Sequence, residues 1–358
     1  PLRIFHWAMV GSVAVAGMTG FFAPEWWLGL HVQAGYILGG LLTFRLVWGV
    51  VGSRYSRFLS FPLSPGAVKS YLCSLARGKP SAVIGHNPSG AWMIIVLLLT
   101  LTALTVSGLM TLGGQEDLGP LAATMTYRIG VDAAAVHRMV AWILVVAVSF
   151  HLLGVLVETR IFRHPVLSAM LIGKKTLSRL STDPSQKLIA ARGGVWFVAI
   201  CVMLVGAGVS LATIPSPAWR AIEIPSAYAT ECGDCHHAYH PILRTKNAWR
   251  AIMDQLEDHY GEDASLDMET AEQIRAHLSA NHAGTFDTDV AQSIGRHETP
   301  SHRITDTPSW VARHQDIAPS TFRLKATGSK INCNACHTDA ATGRFDDTEI
   351  HLPEGEKS

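Results

Sequence analysis

The chain has 358 residues, with Lys+Arg 29 against Asp+Glu 28 and 48% hydrophobic residues. Its net charge of +1 conceals a split, because residues 1–214 carry 16 Lys/Arg and 6 Asp/Glu whereas residues 215–358 carry 13 and 22, a swing from +10 to −9. A single soluble domain rarely shows that asymmetry, and nothing in it points to nucleic acid as a partner.

The first part is a membrane domain. Windows near Ile4–Ala23, His31–Val51, Ala91–Leu112, Ala133–Val157 and Val195–Ile214 are apolar over the ~20 residues that a helix needs to cross a bilayer. The first is longer than the roughly 7–15 residues of a signal-peptide core, and it carries His6 and Trp7 near its start, so it reads as a retained helix. The chain opens at Pro1 without a Met, and a short preceding piece is expected.

The loops set an expected orientation. Residues 52–90 hold Arg54, Arg57, Lys69, Arg77 and Lys79 without an acid, and residues 158–193 hold Arg160, Arg163, Lys174, Lys175, Arg179, Lys187 and Arg192. The alternate loops carry no basic residue (24–30) or only Arg128 (113–132). The basic loops and the N-terminus are therefore expected in the cytoplasm, and five spans deliver the C-terminus outside.

Ionisable side chains inside spans are costly and mark function. His6 opens the first span, His31 the second, and His137 and His151 share the fourth. At about 1.5 Å and 100° per residue, the last two stand roughly 21 Å apart along the helix and within about 40° of one face. By the expected topology His6 and His151 lie at the cytoplasmic depth and His31 and His137 at the opposite one, which predicts two bis-histidine b haems, His6/His151 and His31/His137. Arg45 and Arg138 could pair with haem propionates, since a buried charge needs a partner; Arg45 could equally snorkel to the interface. Gly35, Gly39 and Gly40 either clear room for a porphyrin or serve helix packing.

A short linker follows, with Pro215, Pro217 and Pro225 disfavouring helix and keeping the next domain near the membrane. That domain holds two copies of Cys-x-x-Cys-His, Cys232-Gly-Asp-Cys235-His236 and Cys333-Asn-Ala-Cys336-His337. In this motif the thiols bond covalently to a haem and the histidine takes one face of its iron. Paired Cys-x-x-Cys knuckles can also bind zinc, but zinc does not need a histidine after each pair. The other cysteines, Cys73 and Cys201, lie in or beside apolar stretches and read as small hydrophobes. Covalent haem is attached on the periplasmic side in bacteria, in agreement with the charge-derived topology. For the second axial position His259 is the first choice, because it closes an expected amphipathic helix on which Trp249, Ile252, Met253 and Leu256 recur at helical spacing, and so can face a haem packed on that side. His314, after Trp310-Val-Ala-Arg, is the second choice, and spacing does not say which haem each serves.

Two resemblances accompany these motifs. Pro1-Leu-Arg-Ile-Phe-His6-Trp7, then His31 with Gly35 and Arg45-Leu-Val-Trp48-Gly49, then His137 and His151, resemble the bacterial cytochrome b561 family and the b subunits of nickel-iron hydrogenases over about residues 1–180. The resemblance implies two b haems on those four histidines and electron exchange with quinone. The two Cys-x-x-Cys-His motifs, Asp258-His259-Tyr260-Gly261 and Arg303-Ile304-Thr305-Asp306-Thr307-Pro308 resemble the dihaem cytochrome c family over about residues 228–352 and imply a periplasmic electron carrier.

The fold expected is all-α: a transmembrane bundle of four haem-binding helices plus a fifth span, and a mostly helical periplasmic dihaem domain. Residues 1–190 form the first, 191–227 the fifth helix and linker, and 228–358 the second. The chain is then a transmembrane electron-transfer protein of the bacterial inner membrane, with two haem b and two haem c. Quinone or quinol lies at one end, and a periplasmic electron carrier or redox complex with a basic docking face at the other. The alternative is an electron-transfer subunit of a dehydrogenase, hydrogenase or respiratory complex with no substrate site of its own.

Overall fold

A computed structural model describes residues 2–52, 56–78, 87–162 and 184–353. Of the basic loop residues, Arg54, Lys79, Arg163, Lys174, Lys175 and Arg179 lie outside them. The described residues form helices joined by turns, without a β-strand, and the chain divides into two compact units.

The first unit comprises residues 1–23, 29–110 and 132–210. Its helices are α1 (Leu2–Phe21), α2 (Leu28–Val51), α3 (Pro65–Ala76), α4 (Pro88–Gln115), α5 (Tyr127–Leu156) and α6 (Pro184–Ala212). Among the described residues five helices are long and apolar enough to span a membrane, in the five predicted windows. Leu38 and Leu42 of α2, Leu98, Leu101 and Leu104 of α4, and Val140 and Leu144 of α5 form the core, with Met9 and Val13 of α1 packed on it. Outward faces are apolar too, with Leu99, Trp142 and Phe150 exposed, as expected of helices that lipid surrounds. With no water to receive it, the buried Ser12 hydroxyl of α1 donates across to the Ala34 carbonyl of α2 at 2.7 Å.

The second unit comprises residues 24–28, 111–131 and 211–358. Among its described residues are four short helices, α7 (Ser226–Glu231), α8 (Lys246–Met253), α9 (Met268–Ala280) and α10 (Pro308–His314). Side chains cap three of them, because the first backbone N–H groups of a helix have no partner inside it. Thr245 accepts from the Ala248 N–H, Asp267 from Thr270 and Thr307 from Trp310, the last with Pro308 at the first helical position. Two small cores result, one around Ile242, Phe286 and Ile294 and one around Tyr228, Trp249, Ile274 and Leu278.

One expectation is corrected here. The helix expected to carry Trp249 through His259 stops at Met253, and a 3₁₀ turn over Leu256–Asp258 intervenes before His259. The backbone N–H of Asp254 still reaches back to the Arg250 carbonyl, but the chain then turns, and Tyr260 adopts φ 61°. The apolar spacing had described two short elements rather than one helix.

Candidate functional site

Within the membrane unit the imidazoles of His31 and His137 face each other with ring centroids 6.1 Å apart. Each is held by its Nδ1. His31 Nδ1 lies 3.0 Å from the Ala16 carbonyl oxygen and 3.1 Å from Thr19 Oγ1 of α1, while His137 Nδ1 lies 3.0 Å from the Leu104 carbonyl oxygen and 3.1 Å from Ser107 Oγ of α4. A carbonyl oxygen only accepts, so each Nδ1 carries the proton and each Nε2 keeps its lone pair for a metal.

The two cradles repeat one pattern. Thr19 is followed by Gly20 and Ser107 by Gly108, and the accepting carbonyls belong to residues four before each glycine, Ala16 and Leu104. A Cβ on Gly20 would stand 3.0 Å from His31 Cε1, and one on Gly108 would stand 3.2 Å from His137 Cε1. The glycines clear the space in which each ring lies, and the hydroxyls beside them fix its tilt. Sequence reasoning missed these four residues, although a hydroxyl residue followed by glycine within an apolar helix was the available signal.

At the other pair, His6 of α1 and His151 of α5 are near enough for the charge of one to act on the other. His6 Nδ1 is buried with no hydrogen-bond partner, the condition of an imidazole built for a ligand other than protein. Arg45 is 5% exposed, donates through Nη1 at 3.3 Å to the carbonyl of Ser56, in the loop that follows α2, and stacks over the Phe58 ring at 4.7 Å. Arg138 is exposed.

In the second unit the structure pairs the histidines that sequence left unassigned. His236 and His259 have centroids 6.2 Å apart, and so do His314 and His337. An imidazole nitrogen sits about 2.0–2.1 Å from a bound metal and about 1.1 Å from its own ring centre, so two rings on opposite sides of one ion have centroids roughly 6.3 Å apart. The three pairs, at 6.1, 6.2 and 6.2 Å, match that separation.

Hydrogen bonds orient these rings too. His236 Nδ1 lies 2.8 Å from the His237 carbonyl and His314 Nδ1 2.8 Å from the Trp310 carbonyl, with the Trp310 ring stacked on His314 at 4.2 Å. His337 Nδ1 is buried without a partner. Burial, then neighbouring His314 and Arg313, lowers the His337 pKa to about 4, and burial likewise lowers those of His314 and His259. Neutral imidazoles with free lone pairs are what a metal requires.

The two attachment motifs adjoin. Tyr239 stacks on His236 and donates its hydroxyl to the Ile331 carbonyl at 2.8 Å, and Asn334 Nδ2 donates to His237 Nδ1 at 3.0 Å.

Comparison with known proteins accords with this division. The family model for prokaryotic cytochrome b561 matches residues 1–173, and that for dihaem cytochrome c matches residues 228–345. The chain joins a membrane domain of the cytochrome b561 family to a dihaem cytochrome c domain. These families imply haem b and haem c as cofactors. The b561-type domain is similar to the probable Ni/Fe-hydrogenase B-type cytochrome subunit of Cupriavidus necator, 25% identical in an alignment 206 residues long that covers 49% of this chain and 84% of that protein. It is also similar to the probable Ni/Fe-hydrogenase 1 B-type cytochrome subunit of Escherichia coli K12, 26% identical over 211 residues, 49% of this chain and 88% of that protein. Among solved structures, the dihaem domain is similar to the diheme cytochrome c from Rhodobacter sphaeroides, with 35% identity, 35% of this chain and 98% of that chain covered, and a TM-score of 0.30. A diheme cytochrome c from Shewanella baltica OS155 is 31% identical, covers 36% of this chain and 95% of its own, and has a TM-score of 0.29.

Proposed function

We propose that this protein carries electrons between the quinone pool and a periplasmic redox protein through two b haems and two c haems, with quinol oxidation the favoured direction. The observation that carries the reading is the common separation of 6.1, 6.2 and 6.2 Å in three imidazole pairs. His31 with His137 and His6 with His151 would hold the b haems. Cys232, Cys235 and His236 with His259, and Cys333, Cys336 and His337 with His314, would hold the c haems. A haem ligated on both faces supplies reversible one-electron transfer and leaves no open position for a substrate. Charge in the loops supports a cytoplasmic N-terminus and a periplasmic dihaem domain in an inner membrane. The −9 of residues 215–358 supports a partner with a basic docking face. The working domain limits are 1–190, 191–227 and 228–358.

The test is purified full-length protein given quinol. Two b and two c haems per chain by pyridine haemochrome, all reduced by quinol alone, are expected. A second reading is favoured by the names of the relatives, which are hydrogenase cytochrome subunits: the chain would then be an electron-transfer subunit without a substrate site of its own. Reduction only when a co-purifying dehydrogenase or hydrogenase receives its own substrate would establish that reading instead.

A further inference from the structure

The second compact unit contains more than the dihaem domain: residues 24–28 and 111–131, which connect the membrane helices, belong to it. Their contacts concentrate on one of the two c sites. The Tyr127 backbone N–H donates to Asp287 Oδ2 at 3.1 Å and its hydroxyl to Asp289 Oδ1 at 2.7 Å. The other oxygen of Asp289 takes the Arg313 guanidinium at 2.6 Å, and Arg313 immediately precedes His314. The Glu25–Trp27 turn packs on the Asp347–Glu349 turn, which is followed by Ile350, paired in an isolated bridge with His337. The Glu25 carboxylate is also near enough to act electrostatically on His314.

These connections are the approaches to the ligand-bearing helices. His31 lies three residues beyond Leu28 on α2, and His137 lies six beyond Val131 on α5. The His236/His259 site is tied instead to the other motif itself, through Tyr239 to Ile331 and through His237 to Asn334.

We infer that the two c sites act in a fixed order, the site of His314 and His337 exchanging electrons with the His31/His137 centre of the membrane domain and the site of His236 and His259 serving the external partner. The inference rests on the haem ligation proposed above. For each electron the His314/His337 centre gains, one leaves the His31/His137 centre and no bond is made or broken; quinol supplies the electrons and releases its protons. The adjoining motifs then pass the electron from the second Cys-x-x-Cys-His segment to the first, against their order in the chain.

The experiment uses the full chain in detergent. Haemochrome analysis comes first and tests the ligation alone; fewer than two b and two c haems would remove that reading and this order with it. His259→Met then raises the potential of one c haem, so that the two are resolved in a redox titration. Adding Glu25→Gln to that variant removes a negative charge beside His314, and the midpoint of the unmarked c haem should rise while the marked one stays. A shift in the marked haem, an equal shift in both or no shift in either overturns the order. Because Glu25→Gln removes no ligand, this arm stands even where cysteine variants fail to fold. Kinetically, the Cys333→Ala/Cys336→Ala variant should lose quinol-driven reduction of its remaining c haem, while dithionite still reduces it. The Cys232→Ala/Cys235→Ala variant should keep quinol-driven reduction, and the reverse pattern refutes the inference.

Discussion

The Tyr239 ring stacks on the His236 imidazole with centroids 5.0 Å apart and planes 27° from parallel. Its hydroxyl meanwhile donates to the Ile331 carbonyl, two residues before Cys333. One side chain therefore supports a ligand of one attachment motif and anchors the backbone that leads into the other. Tyr239→Phe keeps the stack and deletes the hydrogen bond, so the dihaem domain should lose about 1 kcal/mol of stability. Denaturant unfolding followed at the c-haem absorbance measures it, with both c haems retained; loss of a haem would show that the hydroxyl is needed for attachment.

The glycine cradles predict a selective cofactor defect. Gly108→Val sets a branched side chain where a Cβ alone would meet His137 Cε1 at 3.2 Å. One b haem per chain should disappear while the other b haem and both c haems remain, as measured by haemochrome quantification. Ser107→Ala removes only the Oγ contact at 3.1 Å, so the haem should stay and its potential shift. An unchanged b-haem count in Gly108→Val would refute the cradle.

Pairing by depth is tested at the opposite end. His151→Leu should abolish or convert to high spin a single b haem and leave the His31/His137 centre low-spin, read by electron paramagnetic resonance. Equal disturbance of both b haems in a folded variant would refute the pairing of His6 with His151.

Acid should weaken the dihaem domain through His240. This side chain is 2% exposed; burial, then His277, Arg220 and His237, lowers its pKa from 6.5 to about 4. The folded state therefore favours the neutral ring, and between pH 6.5 and 4 the unfolded chain binds the extra proton. The stabilisation is full above pH 6.5 and is lost as pH falls through about 4, with an upper bound of about 3 kcal/mol for a shift of this size. Denaturant midpoints across that range should fall more steeply for the natural chain than for His240→Gln. Equal slopes would refute the assignment.

Electron exchange with the external partner should slow with added salt. A domain of net −9 steers a basic partner at long range, and screening shortens that range from about 30 Å at 0.01 M to about 8 Å at physiological ionic strength. Stopped-flow rates that do not fall over this interval would eliminate steering by the acidic domain.

Much of this molecule was legible in its sequence because its signals are local. A run of ~20 apolar residues is bound to be a helix in lipid, where backbone groups find partners only within the segment. Cys-x-x-Cys-His names its cofactor within five consecutive residues, and four histidines inside apolar spans stand out because their burial is costly. What sequence could not provide was pairing between distant segments. The rings that face His236 and His337 are those of His259 and His314, respectively, 23 residues downstream and 23 upstream, and no periodicity links them. The short element before His259 was misread as one helix because its apolar spacing continues past the turn at Met253. Thr19, Gly20, Ser107 and Gly108 look like ordinary small residues of packed helices until the rings of His31 and His137 are seen against them. Composition and motif determined which cofactors the chain suits; the packing of segments far apart in sequence decided which histidines meet, because a ligand pair is a relation in space and each of its members is chemically complete alone.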